Sequence, residues 1–176
     1  WEDRYCLLGP IVDQDVSAEF DPIEVPTGPF GKAVERMREL GHDVLYGTWL
    51  VTGRPLTVLV RINETLSKSE EIRKRLELEH GVNIYADDEL QRNVMAFSKL
   101  SMTFLSLLAE EINKSKKKLI THFHEWMASI PLLDIHKKKL PVKTVFTTHA
   151  TSVGRYLAMN DENFYNSLHK YHWKHH

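Results

Sequence analysis

Cysteine is almost missing from this sequence: Cys6 is the single one in 176 residues, so no disulfide can form within the chain. That composition is compatible with a reducing compartment. Long apolar runs are missing too, and none approaches the roughly twenty residues a membrane-spanning helix needs. The opening Trp1-Glu2-Asp3-Arg4-Tyr5 carries no signal-peptide pattern. Charge of one sign is not in excess. With 23 basic against 24 acidic residues the net charge is −1, so no overall field recruits nucleic acid or an anionic membrane. Internal repeats and low-complexity segments are also lacking. The expectation is a soluble, cytoplasmic protein of one domain, long enough to bury a core.

The elements follow from punctuation and periodicity. Tyr5–Leu8, closed by Gly9-Pro10, reads as a buried strand, Asp13–Phe20 as a polar loop, and Ile23–Val25 as a strand broken by Pro26-Thr27-Gly28-Pro29. Val34, Met37 and Leu40 recur at helical spacing and predict a helix over about Phe30–Leu40, with Gly41 as its C-cap. Asp43–Thr52 and Leu56–Ile62 are β-rich and flank Gly53-Arg54-Pro55, which suggests a hairpin or two neighbouring strands. Ser69 is placed to cap a helix over Glu70–His80 that ends at Gly81. Asp87 opens the longest helix, about Asp88–Lys114, whose apolar stripe is Leu90, Val94, Phe97, Phe104, Leu108 and Ile112. Asp161–Tyr171 reads as a last helix with Phe164, Leu168 and Tyr171 on one side, before Trp173-Lys174-His175-His176. The lysines at Lys116–Lys118 and Lys137–Lys139 read as solvated helix ends.

The chain is organised around Leu119–Tyr156. Leu119–Phe123 and Val142–Thr147 are short runs rich in β-branched and aromatic residues, as strands are. Between them a helix is expected, with Ser129 as N-cap, Pro131 in its first turn and Leu132, Leu133 and Ile135 on its apolar side. Strand, helix, strand at this spacing is a βαβ unit with parallel strands. Its polar residues then collect at the carboxyl ends of both strands: His122, His124 and Glu125 after the first, Thr148, His149 and Thr151 after the second. Ligands of open α/β sheets bind at that rim. Arg155 follows six residues after His149, in or just before the next helical turn.

Each of these residues also has a plainer reading. His122 and His124 stand two apart on a strand and so point the same way. With His149 they form a candidate three-histidine zinc site, although neither cysteine nor a characteristic ligand motif supports it. Otherwise one histidine is a hydrogen-bonded core residue and the other lines the rim. Trp126 alone suits packing at a helix start, Glu125 a helix cap, and Arg155 a surface salt bridge.

Several runs together resemble the animal and fungal type of glycogen synthase. They are His122-Phe123-His124-Glu125-Trp126, Thr144-Val145-Phe146-Thr147-Thr148-His149-Ala150-Thr151, Gly154-Arg155-Tyr156-Leu157 and Asn163-Phe164-Tyr165-Asn166. Leu8-Gly9-Pro10, Tyr46-Gly47-Thr48-Trp49-Leu50, Gly53-Arg54-Pro55-Leu56 and Thr57–Val60 agree in order. The resemblance spans nearly the whole chain, and its Thr-Thr-His-Ala-Thr…Gly-Arg-Tyr-Leu run is specific.

The resemblance implies an α/β fold, an open, mainly parallel Rossmann-like sheet with flanking helices, forming the N-terminal lobe of a two-lobed GT-B-type glycosyltransferase. It implies transfer of glucose from UDP-glucose or ADP-glucose to the non-reducing end of an α-1,4-glucan such as glycogen, with retention. Arg155 then matches the family arginine near the donor diphosphate, and His149 and Glu125 lie beside the transferred glucose. His122, His124, Trp126, Thr148 and Thr151 are the further substrate-binding candidates. No cofactor and no metal is implied, and homo-oligomerisation is left open. The family opens with a first strand and a Gly-Gly loop that approaches the donor; no such loop precedes Tyr5, and the second, nucleotide-binding lobe with its paired glutamates is not in this sequence. The chain therefore reads as residues 1–176 of a single lobe, incomplete at its start and inactive alone. The alternative is a non-catalytic sugar- or nucleotide-binding module of the same fold.

Overall fold

The computed structural model describes residues 4–11, 16, 18–84 and 88–171. Its strands form two ladders rather than one open sheet. The first has four strands in the order β1-β4-β3-β2: β1 (Cys6–Pro10), β4 (Leu56–Val60), β3 (Val44–Trp49) and β2 (Phe20–Pro22). β1 and β4 run parallel, whereas β3 is antiparallel to both its neighbours. The second ladder pairs β5 (Leu119–His124) with β6 (Val142–Thr147) in parallel, in the register Leu119↔Val142 to His124↔Thr147. The mainly parallel sheet expected from the sequence is thus a mixed one. The short link from β3 to β4, through Gly53 at φ +88°, is a hairpin connection and makes that pair antiparallel.

Helices cover these ladders. α1 (Gly28–Glu39) carries proline in its first turn, buries Ala33, Val34 and Met37, and ends before Gly41 at φ +86°. A short turn, α2 (Asn63–Leu66), was not foreseen, and leads into α3 (Ser69–His80), closed by left-handed Gly81. Ser69 is the buried first residue of α3 rather than its cap, because Lys68 occupies the N-cap position. α4 (Glu89–Lys114) is capped by Asp88, whose carboxylate accepts the Gln91 N–H at 2.7 Å. It buries Val94, Leu100, Phe104, Leu105 and Leu108, while Leu90, on the expected stripe, is 51% exposed in the first turn. α4 packs against α1, α3, α6 and β1, so one core holds residues of both ladders, from Val58 and Val60 to Leu119 and Phe123.

Several boundaries differ from the sequence reading. The strand expected at Ile23–Val25 lies three residues earlier, as β2, where buried Phe20 pairs opposite Trp49. Gly47 permits this approach, since a Cβ there would stand 2.3 Å from the Asp21 carbonyl oxygen. The β5–β6 connector is two helices, α5 (Glu125–Ser129) and α6 (Pro131–Lys137). Ser129 ends α5, donating to the Trp126 carbonyl at 2.8 Å, and so does not cap α6. The end of the chain forms α7 (Ser152–Asn160) and a 3-10 helix over Phe164–Lys170. There Phe164 packs against Tyr171 with ring centroids 5.4 Å apart, but Leu168 is exposed. The expectations for Asp13–Asp15, Ser17, Asp87 and Trp173–His176 fall outside the described residues.

Candidate functional site

The parallel register of β5 and β6 sets the carboxyl ends of both strands side by side. His124 lies opposite Thr147, and the chain leaves β5 through Glu125 and β6 through Thr148 and His149. His122, two residues earlier, places Nε2 2.7 Å from the Thr147 hydroxyl. Its ring centroid is 4.1 Å from that of His124, which in turn stacks on His149 at 5.8 Å with an interplanar angle of 8°. Three imidazoles thus form a column across the two strands.

Glu125 fastens the rim. Its carboxylate accepts the backbone N–H of His149 and, at 3.2 Å, the hydroxyl of Thr148. The His149 N–H, with help from the Thr148 hydroxyl, holds the Glu125 carboxyl below its ordinary range. Glu125 also has φ +61°, a left-handed conformation that costs a non-glycine residue roughly 1–2 kcal/mol. Such backbone strain clusters at functional sites, where neighbouring contacts sustain it.

The other candidates attach to α7 or α5. Thr151 is the N-cap of α7, its hydroxyl accepting the Gly154 N–H at 2.9 Å. Arg155 sits one turn into that helix, its N–H bonded to the Thr151 carbonyl. Its guanidinium has no ion pair among the described residues, so the surface salt bridge considered for it does not form. Trp126, in the first turn of α5, is 50% exposed rather than packed away. The structure therefore joins His122, His124, Glu125, Thr148 and His149 through direct contacts. Thr151 and Arg155 follow His149 in the chain and are joined to each other in the first turn of α7, and Trp126 follows Glu125 in α5.

Thr147 belongs to this group and was not singled out from sequence. Only the β5–β6 register, which sets it against His124 and within reach of His122, marks it. The three histidines are not a compact ligand set. Among the described residues, one group of three His, Cys, Asp or Glu side chains has ligand atoms all within 4.8 Å of one another: Glu79, His80 and Asp134. That group is already neutralised by protein cations. Arg75 takes both Asp134 oxygens at 2.9 and 3.0 Å, His80 lies 2.9 Å from one of them, and Lys137 takes Glu79 at 2.9 Å. It is a structural ion cluster tying α3 to α6.

Comparison with known proteins bears on this rim. The family model described as glycogen synthase matches residues 1–175. The chain is 34% identical over 171 residues to the liver glycogen [starch] synthase of Rattus norvegicus, covering 97% of this chain and 24% of that protein. It is 35% identical over 167 residues to the glycogen [starch] synthase of Neurospora crassa, covering 94% of this chain and 23% of that protein. With the glycogen [starch] synthase of Dictyostelium discoideum it shares 36% identity over 170 residues, covering 96% of this chain and 19% of that protein. The chain thus spans about a quarter or less of the length of these relatives. Among the described residues no helix is long and apolar enough to cross a membrane.

Proposed function

The chain belongs to the glycogen synthase family, and from that premise we propose that it is the N-terminal lobe of a two-lobed, GT-B-type retaining glucosyltransferase. The parent enzyme transfers glucose from a nucleotide-glucose donor, UDP-glucose or ADP-glucose, to the non-reducing end of an α-1,4-glucan. The observation that carries this reading is the convergence of His122, His124, Glu125 and His149 on the carboxyl rim of two parallel strands, where α/β folds bind ligands.

The chemistry of the rim suits a sugar. Imidazoles both donate and accept hydrogen bonds, and a carboxylate offers about four acceptor sites. Two of those on Glu125 are taken by His149 and Thr148, which orients the group and leaves capacity for a sugar hydroxyl. Sites built to hydrogen-bond hydroxyls reject substrates that lack them, because their own polar groups are then left unpaired. His149, stacked on His124, is positioned beside the transferred glucose. Arg155, with no carboxylate partner among the described residues, is available for the charge that grows on the departing nucleoside diphosphate. A cation fixed by the protein serves that purpose without a metal ion.

Catalysis needs donor and acceptor held in one geometry, with diphosphate charge stabilised from the facing lobe. Residues 1–176 alone are therefore expected to transfer no glucose, and to bind donor with a dissociation constant on the order of millimolar or weaker. The test is radiolabelled transfer from UDP-glucose and ADP-glucose to glycogen, run on the full-length protein and on residues 1–176. Turnover by the full-length protein alone supports the reading. Failure of the full-length protein with both donors favours the non-catalytic binding module instead.

A further inference from the structure

Three exposed imidazoles share the rim, and among the described residues they have one side-chain hydrogen bond between them. His122, His124 and His149 meet ring to ring, at centroid separations of 4.1 and 5.8 Å. Such contacts set spacing and tilt, yet they do not choose which ring nitrogen points where. The χ2 torsion of histidine is broad and roughly two-fold, so stacking tolerates a half-turn that exchanges Nε2 with Cε1. His124 is the N-cap residue of α5 but makes no capping bond with its side chain. The ring of His149 is likewise without a hydrogen bond among the described residues, although its backbone N–H is held by Glu125. What distinguishes the two half-turns is the 2.7 Å contact between His122 Nε2 and the Thr147 hydroxyl. Thr147 is half-buried at the end of β6, and its ladder pairing with His124 fixes its place.

We propose that Thr147 is a positioning residue for glucosyl transfer: its hydroxyl sets the ring of His122 and, through His124, the ring of His149. The inference rests on the proposed function, in which His149 lies beside the transferred glucose. Thr147 acts through the column rather than on the sugar. A hydroxyl suits this place because it both donates and accepts. It holds Nε2 when that nitrogen is a bare acceptor, and equally when it carries a proton. The anchor therefore survives a change of tautomer or charge on His122. Its seat on a paired strand, rather than on a loop, gives the column a fixed origin.

A threonine on a strand also serves by shape alone, since β-branched side chains favour the pleated backbone. The two roles make opposite demands at position 147. Valine keeps the branched shape and loses the hydroxyl, whereas serine keeps the hydroxyl and loses the branch. If shape is what counts, valine is harmless and serine costly. If the anchor counts, the order reverses.

The test compares Thr147→Val and Thr147→Ser with wild type in the full-length protein, by steady-state transfer from UDP-glucose and ADP-glucose to glycogen. Thr147→Val is expected to lower kcat about tenfold with KM within about twofold, as when a group needed in the transition state is loosened. Thr147→Ser is expected to recover kcat to within about threefold of wild type. Wild-type kcat in Thr147→Val, a loss confined to KM, or a Thr147→Ser enzyme as slow as Thr147→Val overturns the proposal. Exchange of the imidazole Cε1 proton in heavy water, mapped histidine by histidine by mass spectrometry, reads the column without turnover. In Thr147→Val the rate is expected to change at both His122 and His149, by roughly fivefold, the scale of one net hydrogen bond. Thr147→Ser is expected to keep the wild-type rates. No change at His122, or a change that stops short of His149, overturns the proposal. If wild-type full-length protein transfers glucose from neither donor, the proposed function fails by itself, and the imidazole exchange alone decides whether Thr147 sets the column.

Discussion

The carboxylate of Glu125 accepts the backbone N–H of His149, joining the end of β5 to the loop that follows β6. Twenty-four residues separate the two in sequence, and this bond holds their strand ends in one arrangement. It also accounts for a backbone conformation that Glu125 would not adopt unaided, at φ +61°. The rim is thus preorganised by a residue that is itself a ligand candidate.

That clamp should respond to pH. The Glu125 carboxyl is held below its ordinary range, chiefly by the His149 N–H. Its contribution is complete above the pKa of the unfolded carboxyl and disappears as pH falls through its own, lower pKa. The protection of the His149 and Ala150 amides, taken relative to their intrinsic exchange rates at each pH, should therefore fall on acidification below about pH 4. In Glu125→Gln this protection should be lower at neutral pH, by roughly tenfold, and no longer change on acidification. Identical exchange in the two proteins across this range would remove Glu125 from its clamping role.

Asp134 should matter for stability rather than for the rim. It is 4% exposed, and burial alone would raise its pKa, but hydrogen bonds from Arg75 and His80 outweigh burial and hold it below the usual range. Asp134→Ala leaves Arg75 facing a vacated site and should destabilise the fold by about 3 kcal/mol, read by chemical denaturation near neutral pH. The wild-type advantage should be lost as pH falls through the folded-state pKa of Asp134. A variant as stable as wild type at neutral pH would make the Arg75–Asp134 pair incidental.

No stoichiometric transition metal is expected to co-purify. The compact group Glu79, His80 and Asp134 already has Arg75 and Lys137 as counter-ions, so a metal would have to displace two cations. Elemental analysis after dialysis, with melting curves in the presence and absence of a chelator, checks this. One equivalent of zinc whose removal lowers the melting temperature would contradict it.

Much of this architecture was legible in the sequence because the signals were local. The Leu119–Phe123 and Val142–Thr147 runs became β5 and β6 almost to the residue, and the long helix expected over about Asp88–Lys114 spans Glu89–Lys114, although its cap is Asp88, which the sequence reading places inside it. The rim residues were legible for the same reason, since a βαβ unit fixes which strand ends meet. What failed depended on distant partners. β2 starts at Phe20 because Trp49 pairs with it across the ladder, and nothing in Ile23–Val25 announces that. The division into two ladders is a property of spatial neighbours, not of any single run. Nor did Asp134 stand out, because its partners Arg75 and His80 are 59 and 54 residues away.

Arg155 offers the most direct test of the donor-site reading. It lies one turn into α7, with no ion pair among the described residues and its backbone tied to the capping residue Thr151. Steady-state kinetics of Arg155→Ala in the full-length protein, beside a thermal melt, measure what the guanidinium contributes. The account predicts a fall in kcat of roughly a hundredfold or more at unchanged stability, as when growing charge in the transition state loses a fixed partner. A value of kcat/KM within about twofold of wild type would contradict it, and would mark Arg155 as an ordinary surface cation.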